Sequence, residues 1–145
     1  MDKQLRILIV DDSEDDTFML LRGLREAGFH PEFERVVTAK EMASALSRQT
    51  WDIVVSEYTM PDFGGLAALS VLHQSGLDLP FILVSRAMGE SVAVEAMKAG
   101  AHDYVTKSNL GRLTLAIERE LRDVEVRRSR KRAEEWLKYT AQYDP

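Results

Sequence analysis

The sequence has 145 residues, 45% of them hydrophobic, no cysteine and a formal net charge of -5; that suffices for one ordinary core and excludes disulfides, thiolate metal sites and a cysteine nucleophile. Residues 1–108 carry 10 basic and 17 acidic side chains, against 9 and 7 in residues 109–145, so the acidic body argues against nucleic-acid binding, whose affinity comes largely from neutralising phosphates. No apolar run approaches the ~18 to 20 residues of a membrane span and no signal-peptide pattern opens the chain; the expectation is a soluble, cytoplasmic protein with no membrane partner.

In chain order, LRILIV predicts a first strand over 5–10. It is followed by DDSEDD (11–16) and by a helix over 14–27, with Phe18, Leu20, Leu21 and Leu24 on one face and Gly28 at its end. EFERVV (32–37) reads as a second strand whose Glu32, Glu34 and Arg35 suit a sheet edge, and Met42 and Leu46 mark a second helix. DIVVS (52–56) reads as a third strand; Gly64 and Gly65 precede a third helix with Leu66, Leu69 and Leu72 inward and Gly76 beyond it. FILVS (81–85) is a fourth strand, followed by a helix marked by Ala93, Ala96 and Met97 and stopped by Gly100. DYVT (103–106) is a fifth, and a last helix starts near Asn109. Five β/α pairs predict a doubly wound, flavodoxin-like α/β sandwich of three layers. Its parallel sheet takes the order 2-1-3-4-5, with a cleft at the carboxyl ends of strands 1 and 3.

At those ends stand Asp11 and Asp12, Ser56 and Glu57, Ser85 and Arg86, and Thr106 and Lys107. Crowded carboxylates repel each other unless a hard cation or positive side chains intervene, and oxygen ligation suits Mg²⁺. Lys107 supplies a compact charge opposite them. Glu14, Asp15 and Asp16 read instead as first-turn carboxylates favoured by the helix dipole.

VDDSEDD after strand 1, DIVVSEYTMPDFGG around strand 3, ILVS closing strand 4 and GAHDYVTKSNL across strand 5 together resemble the receiver domain of bacterial two-component response regulators, over residues 5 to 125. The resemblance implies Mg²⁺ held by Asp11, Asp12, residue 57 and the Thr59 carbonyl, and a histidine kinase as partner. It also implies a switch hydroxyl at Ser85, a responsive aromatic at Tyr104 and a phosphoryl-contacting Lys107. Glu57 falls on the phosphoacceptor, which in the family is Asp.

That departure matters because phosphoryl transfer depends on positioning. One added methylene moves the carboxylate by ~1 to 1.5 Å, and about 1 Å can cost ~100-fold in rate. The expectation is a pseudo-receiver that has lost ordinary phosphorelay, with Mg²⁺ binding weak or absent and Glu57 putting its charge where a phosphoryl oxygen would sit. Arg86 stands where receivers usually carry a small residue, and reads as a gate that pairs with Glu57, covers the pocket mouth or points to solvent. Lys107-Ser108 replaces the usual Lys-Pro, so a trans bond is expected, since without proline the cis form costs ~2.5 to 4 kcal/mol.

The last helix continues through Leu113, Ile117, Leu121, Val124, Val126, Ala133, Trp136 and Tyr143 with no Pro or Gly between Arg112 and Asp144. The expected division is a receiver domain over 1–125 and a helical linker over 126–145, a helix of this kind often pairing with a second copy of itself. RRSRKR (127–132) is interleaved with acidic residues and reads as a solvated helix face rather than a nucleic-acid site. The terminal YDP resembles the entry into a GGDEF domain, implying a diguanylate-cyclase-like output domain fused beyond it.

The leading expectation is therefore a non-enzymatic signalling module that controls an output domain and dimerises through helix 4, strand 5 and helix 5, where Val92 and Val94 look exposed. One alternative is a receiver that keeps Mg²⁺ and is slowly phosphorylated. The other is a metal-dependent phosphoryl-transfer enzyme, which would have to use Ser56 or Ser85 with no histidine at the strand ends to activate it. His30, His73 and His102 read as structural or exposed.

Overall fold

The computed structural model describes residues 3–86 and 90–143. Five strands, β1 (Lys3–Val10), β2 (Phe29–Val36), β3 (Ile53–Glu57), β4 (Phe81–Ser85) and β5 (Asp103–Thr106), alternate with five helices. The helices are α1 (Glu14–Glu26), α2 (Ala39–Arg48), α3 (Gly65–Ser75), α4 (Glu90–Ala99) and α5 (Leu110–Tyr143). All strand pairs are parallel, in the order β2-β1-β3-β4-β5, as the βα alternation predicts.

Successive strand side chains point to opposite faces, so an apolar strand feeds two cores. Ile7, Ile9, Val55 and Val84 pack with Leu20, Leu21 and Leu24 of α1 and Leu113 and Ile117 of α5. Leu8, Val10, Val54 and Leu83 pack with Met42 and Leu46 of α2, Leu69 and Leu72 of α3 and Ala96 of α4. Helices thus cover both faces, and the sheet's carboxyl edge is left for the connecting loops.

Several boundaries and faces differ from the sequence reading. β1 and β2 start earlier than predicted because Lys3 pairs with Phe29, and the Lys3 N–H donates to the Gly28 carbonyl at 2.9 Å; backbone pairing extends the strands past their apolar runs. β2 also ends at Val36, and β3 runs to Glu57 instead of stopping at Ser56. Phe18 is 61% exposed, since the buried stripe of α1 is Thr17, Leu20, Leu21 and Leu24. Leu66 is only half-buried and Met97 is exposed, whereas Val92 is half-buried against the core and Val94 is exposed. Small Ala93 and Ala96 bring α4 close to the sheet, and this leaves longer neighbours on its outer side.

α5 has 34 residues, and Val124 is its last buried side chain; residues 125–138 are all exposed. Arg127 ties the start of this exposed part to Asp78 at 3.1 Å, in the loop before β4. Among the described residues no helix is long and apolar enough to cross a membrane.

The turn from β3 into α3 is tight. Asp62 has a positive φ of 61°, a region that Asp tolerates better than most residues. A Cβ on Gly65 would overlap the Leu83 side chain and lie 3.1 Å from the Tyr58 Cα and 3.2 Å from the Glu57 carbonyl oxygen. Gly65 thereby lets α3 start directly against the end of β3, which fixes where residue 57 emerges. Gly65→Ala is expected to lower stability by about 1 to 3 kcal/mol, the usual range for overpacking, measured by urea denaturation. An unchanged midpoint would show that the turn yields freely.

Candidate functional site

In-phase parallel strands deliver their last residues along one line. Val10 is in register with Ser56, Glu57 with Val84, and Ser85 with Thr106. Asp11, Glu57, Arg86 and Lys107 consequently leave the sheet side by side.

One ammonium is the centre of the cluster. Lys107 Nζ lies 2.9 Å from Asp11 Oδ2, 2.7 Å from Asp16 Oδ2 and 2.6 Å from Glu57 Oε2, with no side chain of the four more than 16% exposed. It donates hydrogen bonds to the two aspartates, while the Glu57 contact is a close ion pair without hydrogen-bond direction. Backbone amides hold the carboxylates from behind: the Ser13 N–H donates to Asp11 Oδ1 at 2.9 Å, and the Thr59 N–H to Glu57 Oε1 at 3.4 Å. Arg35 donates to the Asp11 carbonyl at 3.2 Å, tying the β1 exit to β2.

Burial works against every charge here, and the partners decide who overcomes it. For Lys107, burial alone would lower the pKa, but the close contacts with Asp16, Glu57 and Asp11 outweigh it and hold the ammonium protonated well beyond its ordinary range. Burial would raise Asp16 too, yet Lys107 and Arg86 together keep its carboxyl below its usual value. Burial pushes Glu57 up, and Lys107 restores only part of the difference. The shifts at Glu57 and Lys107 pull that pair in opposite senses, and the 2.6 Å contact decides for an ionised pair at neutral pH.

The site residues expected from sequence are brought together, with three qualifications. Asp12 lines the hollow but is exposed and makes no contact with Lys107 comparable to those of Asp11, Asp16 and Glu57. Arg86 does not pair with Glu57; its Nη2 is 2.8 Å from Asp16 Oδ2 and its side chain is 72% exposed. The Lys107–Ser108 bond is trans, there being no cis peptide among the described residues. Tyr104 is 4% exposed, its ring centroid 6.0 Å from that of Tyr58, and its buried hydroxyl lies beside Ser85 without a well-directed hydrogen bond.

Asp16 is the residue the sequence reading missed. Treated as a helix-dipole carboxylate like Glu14, it in fact joins two cations. Its position held the signal: it lies four residues before Leu20 and eight before Leu24, on the stripe that α1 turns inward.

As arranged, the residues do not fit a divalent ion. Asp11, Asp16 and Glu57 each aim an oxygen at Lys107, and among the described residues no three carboxylate or imidazole groups are placed to hold a metal.

Comparison with known proteins identifies the family and the fold. The profile of the family described as response regulator receiver domain matches residues 7–118. The C4-dicarboxylate transport transcriptional regulatory protein DctD of Pseudomonas aeruginosa is 32% identical over 109 residues, 73% of this chain but only 22% of DctD. The chemotaxis protein CheY of Bacillus subtilis is 32% identical over 105 residues, 70% of this chain and 84% of CheY. Among solved structures, the signal receiver domain of a LuxO repressor protein from Vibrio parahaemolyticus aligns with a TM-score of 0.75 over 86% of this chain and 95% of that one. At 19% identity that likeness speaks for the fold alone.

Removing the ammonium leaves Asp11 and Glu57 without a facing cation and Asp16 with Arg86 alone. Lys107→Met is expected to cost about 2 to 4 kcal/mol at neutral pH, the scale for breaking a partly buried pair, and the loss should shrink as pH falls and Glu57 protonates. In the unaltered protein the sign at Asp16 is the reverse. Its contribution is complete above the ordinary carboxylate value of 3.8 and is lost as pH falls through its lower folded value. Denaturation curves of both proteins across the acid range check this; parallel pH profiles would contradict it.

Proposed function

Since the chain belongs to the response regulator receiver domain family, we propose that it is a receiver module of two-component signalling in which Glu57 replaces phosphoryl acceptance with a permanent charge. The carrying observation is the 2.6 Å approach of Glu57 Oε2 to Lys107 Nζ: the carboxylate already makes the lysine contact that the resemblance reserves for a phosphoryl group. Ordinary phosphorelay from a histidine kinase is lost, because a nucleophile drawn onto the ammonium is displaced from in-line attack.

The output route runs along β5 into α5. Arg112 donates to the Tyr104 carbonyl at 3.1 Å, and both Arg112 and Arg119 pair with Asp103, Arg119 at 2.5 Å. The state of Tyr104 is thereby joined to the helix that leaves the domain. We assign residues 1–125 to the receiver and 126–145 to a helical linker reaching a C-terminal output domain. Cyclic-dinucleotide turnover of the GGDEF type is our choice for that domain, on the terminal YDP. DctD, a transcriptional regulatory protein, supplies the competing choice. Exposed Val94 and Met97 on α4 support pairing of two copies through α4, β5 and α5, which would bring tethered outputs to high effective concentration.

Two experiments test these readings. Incubation with acetyl phosphate and Mg²⁺, followed by intact-mass analysis, should give no phosphoryl adduct on the natural protein and one on Glu57→Asp; an adduct on Glu57 itself contradicts the proposal. Sedimentation velocity should show concentration-dependent dimers that Val94→Asp weakens at least about tenfold, as a charge forced into an apolar contact does. A protein monomeric at all concentrations removes the pairing surface.

A further inference from the structure

Beyond Val124, α5 carries a stripe on the side turned away from its own domain. At 3.6 residues per turn, the buried Leu113, Ile117 and Val124 lie within about 20° of one line along the helix. Val126, Ser129, Ala133 and Trp136 lie about 120° to 200° round from that line, and all four are exposed, Val126 at 57% and Trp136 at 63%. The domain that buries the first face therefore cannot cover the second. Spacings of three, four and three residues are those of successive core positions in a heptad repeat. In that register Arg127, Arg128 and Lys131 fall on the outer side of the helix, while Glu125 and Arg130 flank the stripe.

We propose that α5 from Glu125 onward pairs in parallel and in register with α5 of a second copy of this chain, through Val126, Ser129, Ala133 and Trp136. In a parallel pair the residue flanking one helix's core position meets the residue five further on in the partner helix, which sets Glu125 against Arg130 of the second copy on both sides of the seam. On one helix, residues three and four apart are neighbours and residues five apart are not, so this attraction exists only between chains. An antiparallel pair sets like flanking positions together and loses it. Small Ser129 and Ala133 allow the two backbones a close approach. The inference rests on the reading above for the linker and for pairing as such, but it does not need the α4 face. The exposed stretch 125–138 spans about 20 Å, a short seam, so the association depends on concentration.

The natural chain has no cysteine, so single-cysteine variants of the full chain under mild oxidation report the contact without background. Ser129→Cys and Ala133→Cys place a thiol on the seam and Lys131→Cys places one outside it. All three positions are exposed in the single chain, so random collision links them equally, whereas a stable contact links only pairs whose Cα atoms lie about 4.4 to 6.8 Å apart. Disulfide-linked dimers should form at least about tenfold faster at 129 and 133 than at 131. Adding Glu125→Arg to Ala133→Cys should slow linkage about 3- to 10-fold at low salt, and adding Arg130→Glu as well should restore it. Equal rates at the three positions, no linkage at 133 as for a stripe made to receive a different protein, or a charge reversal without effect would overturn the proposal. The preference for 133 over 131 should also persist when Val94→Asp is added; if it persists while Val94→Asp leaves sedimentation unchanged, only the α4 surface fails, and if it disappears the seam fails.

Discussion

One ammonium group shared among three carboxylates sets the character of this domain. Asp11, Asp16 and Glu57 come from the β1 exit, the first turn of α1 and the end of β3, and Lys107 from the end of β5. Four chain segments converge on a largely buried point, where opposite charges at contact distance offset one another's loss of water. The parallel register of the sheet makes the convergence possible, and the lysine makes it tolerable.

The glutamate at 57 has a definite physical meaning. Its side chain is one methylene longer than aspartate, and the structure spends that reach on the lysine. A phosphoryl group would bring more charge and three acceptor oxygens, so on the proposed reading the carboxylate could be only a partial stand-in, holding Lys107. Arg86 completes the balance from outside. The long α5, buried only as far as Val124, is tied to the end of the sheet by the pairing of Asp103 with Arg112 and Arg119.

The fold was legible in the sequence because its strongest signals are repetitive. Apolar runs flanked by Gly at 28, 76 and 100, each with positive φ, announce strand–helix units, and parallel strands covered on both faces leave little choice of order. Amphipathic faces were less legible: Phe18 looked like core, yet Thr17 takes the inward place and Phe18 faces solvent. Strand starts at Lys3 and Phe29 were hidden because backbone pairing leaves no side-chain pattern. In the site, residues at strand ends could be named one by one, since each strand terminates at the same edge. Asp16 could not be found that way, because it enters from a helix and its role depends on helical phase. Nor could the sequence decide among the orientations open to Arg86, which turns on a contact between residues 70 positions apart.

The central claim, that Glu57 and Lys107 are energetically joined, is most directly tested by a double-mutant cycle on folding stability at neutral pH with Glu57→Gln, Lys107→Met and the double variant. The account predicts a favourable coupling of about 1 to 3 kcal/mol, the scale for groups in one ion-pair network. A coupling within about 0.3 kcal/mol of zero, the level of independent sites, would contradict it.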